Sequence, residues 1–134
     1  MSSAARFASL PRRTNALVSA AQTTRDNPGS NVVTVFAAGA NGSRIENVRV
    51  QATGTTTAGV VRLYISDGTT HALWREVLVP AITPSTTVSP FAADIDLSLE
   101  ACVLVAGQSI RATTHNAEAF RIHVSGGDFG AVPA

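Results

Sequence analysis

From Asn31 onward, apolar and polar residues alternate with a period of two, the signature of half-buried strands. Val33, Val35 and Ala37 alternate with Val32, Thr34 and Phe36, which predicts a strand that is apolar on both faces. In the next segment Val48, Val50 and Ala52 share one face and Arg49, Gln51 and Thr53 the other. Ile45 is out of step with that set, so a bulge is expected at Glu46-Asn47. Val61, Leu63 and Ile65 alternate with Arg62, Tyr64 and Ser66. After Asp67-Gly68, a strong hairpin signal, Leu73, Arg75, Val77 and Val79 oppose Trp74, Glu76 and Leu78. Further on, Ile95, Leu97 and Leu99 are expected to point inward and Asp94, Asp96 and Ser98 outward, with Val103 and Val105 following. Ile110, Ala112 and Thr114 oppose Arg111, Thr113 and His115, and Phe120, Ile122 and Val124 alternate with Arg121, His123 and Ser125.

Turn chemistry separates these runs. Gly39-Ala40-Asn41-Gly42 and Ala106-Gly107-Gln108 carry glycine where positive φ is needed, and Gly54 to Gly59 reads as a flexible hairpin loop. Pro80, Pro84 and Pro90 mark a long connection that cannot be a central strand. About eight short strands at regular spacing predict an all-β fold, an antiparallel β-sandwich or jelly roll occupying residues 31–134.

Residues 1–30 differ. Arg6, Arg12, Arg13 and Arg25 fall there, with no acid before Asp26. A weak helical pattern spans Thr14 to Thr23 and stops at Asp26-Asn27-Pro28-Gly29. Ala16-Leu17-Val18 is too short for the apolar region of a secretory signal, although an Arg- and Ser-rich, acid-poor start is also how an organelle transit peptide reads. The segment is expected to be an extended N-terminal arm, ordered where it meets something else, with its four arginines as candidate partner contacts.

The 134 residues make one domain by length. Charged residues are 14%, against roughly 25% in an average soluble chain, and the net charge is +1. That balance argues against a nucleic-acid partner, which needs a clustered basic surface. No apolar run approaches the ~18 residues of a membrane span. All ten basic residues are Arg, so lysine chemistry is excluded. Cys102 is the only cysteine and is expected to be a buried, inert thiol.

Candidate chemistry is incomplete at each place it could occur. Gly54 to Gly59 has the spacing of a phosphate loop, but valines follow where Lys and Ser or Thr are required. His115 and His123 fall on outward registers of strands expected to be adjacent, and with His71 they are the ligands a cupin-like metal site would have to use. Asp94 and Asp96 share one strand face without the other oxygens Ca²⁺ needs. Ser109 lacks a nucleophile elbow, and Glu46, Glu76, Glu100 and Glu118 show no pairing. Tyr64 and Trp74 both fall on faces opposite the main apolar register of the Asp67-Gly68 hairpin and are expected to pack in a second layer, an exposed pair being instead the mark of a contact surface. No catalytic, metal or cofactor-binding residue is therefore assigned; a scaffold or binding module is what remains.

Several runs resemble small structural proteins of tailed bacteriophages. They are Thr34 to Ile45, Ala52 to Gly59, Val61 to Ile65 with Asp67-Gly68, Leu104 to Ala112, and Ala117 to Gly127. The resemblance implies a β-sandwich virion accessory protein, foremost a capsid decoration (cement) protein that bridges major capsid subunits as a small homo-oligomer, dimer or trimer. It implies a location on the capsid surface, after assembly in the host cytoplasm. A tail, neck or fibre component is the alternative within the virion, and a cupin-like metalloenzyme the alternative outside it.

Overall fold

The computed structural model describes residues 8–99 and 102–130, folded as a β-sandwich. In chain order the strands are β1 (Ala8–Val18), β2 (Val33–Ala37), β3 (Ser43–Ala52), β4 (Gly59–Ser66) and β5 (His71–Val79). They are followed by β6 (Ala92–Asp96), β7 (Cys102–Leu104), β8 (Ser109–Thr114) and β9 (Phe120–Phe129). Sheet 1 has the order β1-β9-β3-β6, with β7 paired to β3 beyond the end of β6; sheet 2 has the order β2-β8-β4-β5. Every strand pair is antiparallel. The eight segments marked by the period-two pattern are β2 to β9, and the ninth strand is β1.

The core is the set of inward positions of the two sheets. Ile45, Val48 and Val50 of β3 and Ile122 and Val124 of β9 meet Val61 and Leu63 of β4 and Ile110 and Ala112 of β8, all fully buried. Fully burying an aliphatic side chain of this size contributes about 1.5–3 kcal/mol, so this two-sheet contact is the main source of stability. The expected bulge is present: Ile45 faces Gly126 and Asn47 faces Ser125, leaving Glu46 without a partner. One extra residue keeps Ile45 and Val48 on the same side despite their odd spacing. It also presses the two backbones together. A Cβ on Gly126 would fall inside the contact distance of the Arg44 carbonyl.

Two further bulges revise the face assignments. β2 shifts register between Thr34 and Phe36, so Val35 and Phe36 are both buried rather than alternating. β5 skips Trp74 in its pairing with β4: Leu63 faces Arg75 and Tyr64 faces Leu73. Trp74 therefore packs against the inter-sheet core and does not join Tyr64 in a second layer. Leu99 is also out, 97% exposed, because β6 ends at Asp96 and the chain turns there, Asp96 Oδ1 accepting the Ser98 N–H at 2.9 Å. Val103 and Val105 point to solvent, while Leu104 between them is buried.

Among the described residues β4 and β5 are the only consecutive strands that pair with each other. Their four-residue loop is closed by Asp67, whose Oδ1 accepts the Thr69 and Thr70 N–H groups, with Gly68 at φ 99°. Most other connections cross between sheets. Gly54 to Gly59 is one of them, a crossing from β3 to β4 rather than a hairpin. It is tied down, not flexible: the Glu118 carboxylate accepts the Thr57 N–H (2.8 Å) and hydroxyl (2.7 Å), and Asn116 donates to the Ala58 carbonyl (3.1 Å).

The segment expected as an arm is extended, and over Ala8–Val18 it is an edge strand zipped along the whole of β9. The helical pattern at Thr14 to Thr23 does not form a helix because Thr14, Ala16 and Val18 also fit a period of two, and pairing with β9 satisfies the backbone. β1 also closes one open side of the sandwich. Arg12 Nη1 donates to the Ala37 carbonyl (2.6 Å) and to Asp128 (3.2 Å), with its guanidinium 4.2 Å from the Phe36 ring centre. Thr14 donates to the Val35 carbonyl at 2.7 Å. These side chains satisfy carbonyls on the free edge of β2, the usual liability of an edge strand. The hydroxyl of Ser43 at 2.6 Å, and then Arg12, hold the Asp128 carboxyl below the usual carboxylate range.

Gly126→Ala should destabilise the fold by about 3 kcal/mol in urea unfolding, because the opposing atom is backbone and cannot move aside. Gly54→Ala, where nothing lies within 4 Å, should change stability by less than about 0.5 kcal/mol.

Candidate functional site

The two outward sheet faces differ. The outer face of sheet 2 carries Arg62, Tyr64 and Ser66 on β4 and Thr113 on β8, all buried. Their cover is the chain itself: residues 19–31 form a strap across this face. Gln22 donates its N–H to the Thr114 carbonyl (2.8 Å), and the Tyr64 hydroxyl donates to the Arg25 carbonyl (2.9 Å). At the far edge Asp26 Oδ1 accepts the Leu73 N–H (2.8 Å), and Asn27 exchanges hydrogen bonds with His71 in both directions at 3.0 Å. Asn27 and Asn31, at φ 49° and 55°, bend the strap, which is why the turn signals at Asp26 to Gly29 occur where no hairpin exists. Beneath it Glu76 lies between Arg25 (3.3 Å) and Arg62 (3.4 Å), and Arg62 Nη1 is 3.4 Å from His115 Nδ1. Since a guanidinium only donates, that His115 nitrogen is the acceptor. Burial pushes the Tyr64 hydroxyl above its usual pKa.

Among the described residues the outer face of sheet 1 has no such cover. Its registers set out three rows across β1, β9, β3 and β6: Arg13-Ser125-Asn47-Asp96, Asn15-His123-Arg49-Asp94 and Leu17-Arg121-Gln51-Ala92. A shallow depression of about 330 Å³ lies between the first two rows. Arg49 pairs with Asp94 at 2.7 Å and with Gln51 at 2.9 Å.

A second opening lies on the side opposite Arg12, between β5 and β7. This groove of about 330 Å³ is lined by Ile65, Trp74, Leu97, Cys102, Val103 and Leu104, among others. Leu99, Val103 and Val105, each at least half exposed, lie on the β6–β7 edge beside it. Cys102 is half-buried in the groove wall rather than fully buried, and its burial raises the thiol pKa.

The arginines singled out from the sequence separate. Arg6 lies outside the described residues, as does Glu100. Arg12 is committed inside the fold to Asp128 and Ala37, with about a third of its side chain still exposed. Arg25 is largely exposed but pairs with Glu76. Arg13 is exposed and makes no hydrogen bond or ion pair within the described residues. The histidines separate too. β8 and β9 belong to different sheets, so His115 and His123 are not on adjacent strands: His123 lies on the outer face of sheet 1, His71 and His115 at sheet 2. Among the described residues no three His, Cys, Asp or Glu groups come together as metal ligands. In the Gly54 to Gly59 loop the Thr57 N–H, which a phosphate would need, is occupied by Glu118. The strap, the groove and the charge rows were not legible from residue types; each depends on which strands become neighbours. No family model matches the chain, and no curated protein or solved structure matches it.

Tyr64→Phe should cost about 1 kcal/mol, since the Thr24 and Arg25 carbonyls of the strap lose their donor. Hydrogen exchange should then speed up at the Gln22 and Asn27 amides and stay unchanged along β3 and β9. Unchanged exchange in the strap would show that Tyr64 does not hold it.

Proposed function

We propose that this chain is a structural virion protein of the tailed-phage type, a capsid decoration protein that clamps junctions between major capsid subunits. The observation that carries the proposal is the unequal finish of the sandwich. The β1–β2 side is closed by Arg12 and Thr14, and the outer face of sheet 2 by the strap. Among the described residues the β5–β7 side is left open, as a groove in which Trp74 and Leu104 stand with Arg75 and Gln108, next to the exposed Val103 and near Leu99 and Val105. Exposed apolar residues gathered at one edge mark a docking surface. The resemblance of the strand and turn runs to phage structural proteins supplies the class of partner. Internal DNA pressure strains a shell outward, and a rigid body seated across subunit junctions opposes that strain through many modest contacts. Arg13 is a basic contact available for an acidic shell. Arg12 stabilises the body that carries it.

Truncation of residues 2–25 would remove an edge strand and half the strap, so point changes are the better test. Purified expanded capsids should retain the wild-type protein on sedimentation. Replacing both Val103 and Leu99 by Asp should weaken retention at least about ten-fold, the loss of one interface anchor, while leaving the melting temperature unchanged because both side chains are exposed. Undiminished retention of the double variant, or no retention of the wild type, would overturn the proposal.

A further inference from the structure

The bare face of sheet 1 is polarised. Its β1–β9 half carries Arg13 and Arg121; its opposite edge, β6, carries Asp94, already paired with Arg49 of β3, and Asp96. Among the described residues the Arg13 side chain has no partner and Asp96 forms no ion pair, its carboxylate hydrogen-bonding only to Ser98. A face basic along one edge and acidic along the other is complementary to itself under rotation, the condition for an isologous two-fold contact.

We infer that this face is a self-association surface. A second copy of the chain docks on it face to face about a two-fold axis that runs parallel to the strands, between β9 and β3. Such an axis keeps each row at its own level and exchanges its ends. β1 of one copy then covers β6 of the other, so Arg13 meets the partner's Asp96, and the pair is made twice. At the next level Asn15 faces the partner's Asp94, and at the last Leu17, 43% exposed, covers the partner's Ala92. A two-fold axis perpendicular to the strands would instead lay β6 on β6, with Asp94 against its own mate. Charge therefore selects between the two possible dockings. Three strands about 34 Å long and β6 about half that length, about 4.8 Å apart, give a face of about 570 Å², or about 1,100 Å² over both copies. That is the low end for a specific interface, so the dimer should be weak and salt-sensitive.

The inference concerns contacts between copies and stands apart from the virion reading. Sedimentation equilibrium should show a monomer–dimer equilibrium that weakens at about 0.5 M salt. Arg13→Asp and Asp96→Arg should each weaken the dimer about 30-fold, because one substitution alters both symmetric pairs. Mixed in equal amounts, the two variants should dimerise again, since each restores opposite charge at both contacts. Should either reversal fail to fold, Arg13→Gln and Asp96→Asn test the same pairs and should flatten the salt dependence. A wild type that remains monomeric at millimolar concentration would overturn the inference. So would a dimer indifferent to both substitutions, or a mixture that stays monomeric. Monomeric Asp96→Arg protein that still sediments with capsids separates the two proposals, as does a dimer that ignores them.

Discussion

A strand in the middle of a sheet must satisfy neighbours on both edges at once, and β9 does so for sheet 1. It pairs with β1 along one edge and β3 along the other, in registers that agree only because β3 carries an extra residue at Glu46. A slip of one residue would turn Phe120, Ile122 and Val124 out to water and bring Arg121 and His123 into the core. The burial on the inner face thus fixes the polar arrangement on the outer one. The rows that end in Arg13 and Asp96 are a consequence of where the apolar side chains must go. The same bulge demands glycine at 126, so one backbone contact underlies both the packing and the outer face.

Strands β2 to β9 were legible in the sequence because period two survives wherever one face is buried. The bulge at Glu46 was legible as well, from the odd step between Ile45 and Val48. What could not be read was pairing. The chain crosses from one sheet to the other at most turns, so His115 and His123 look adjacent along the sequence and end on different sheets. β1 was hidden by the arginine content of residues 1–30. Its Arg12 is drawn inward by Asp128, a residue more than a hundred positions away, and no local pattern reports such a partner. Trp74 was misplaced for a similar reason: the bulge that turns it inward has no signature in its own neighbours. Tyr64, by contrast, was recognisable as lying off the main apolar register, and the strap over it explains why an aromatic stands there.

The three finished surfaces and the two open ones bear on function in the same way. Arg12 and Thr14 close one side, the strap closes one face, and the loop near Gly59 is pinned by Glu118 and Asn116. Strand edges and sheet faces left bare invite pairing with other chains, and this chain covers most of its own. Among the described residues the groove at Trp74 and Leu104 and the charged face of sheet 1 are left uncovered. Two separate open surfaces suit a body that contacts a shell on one side and its own copy on another.

The most direct measurement is a density map of virus particles assembled with this protein. The account predicts a sandwich-shaped density on the outer shell at subunit junctions, its β5–β7 side turned toward the capsid. Density confined to the tail or neck, or shells indistinguishable with and without the protein, would contradict it.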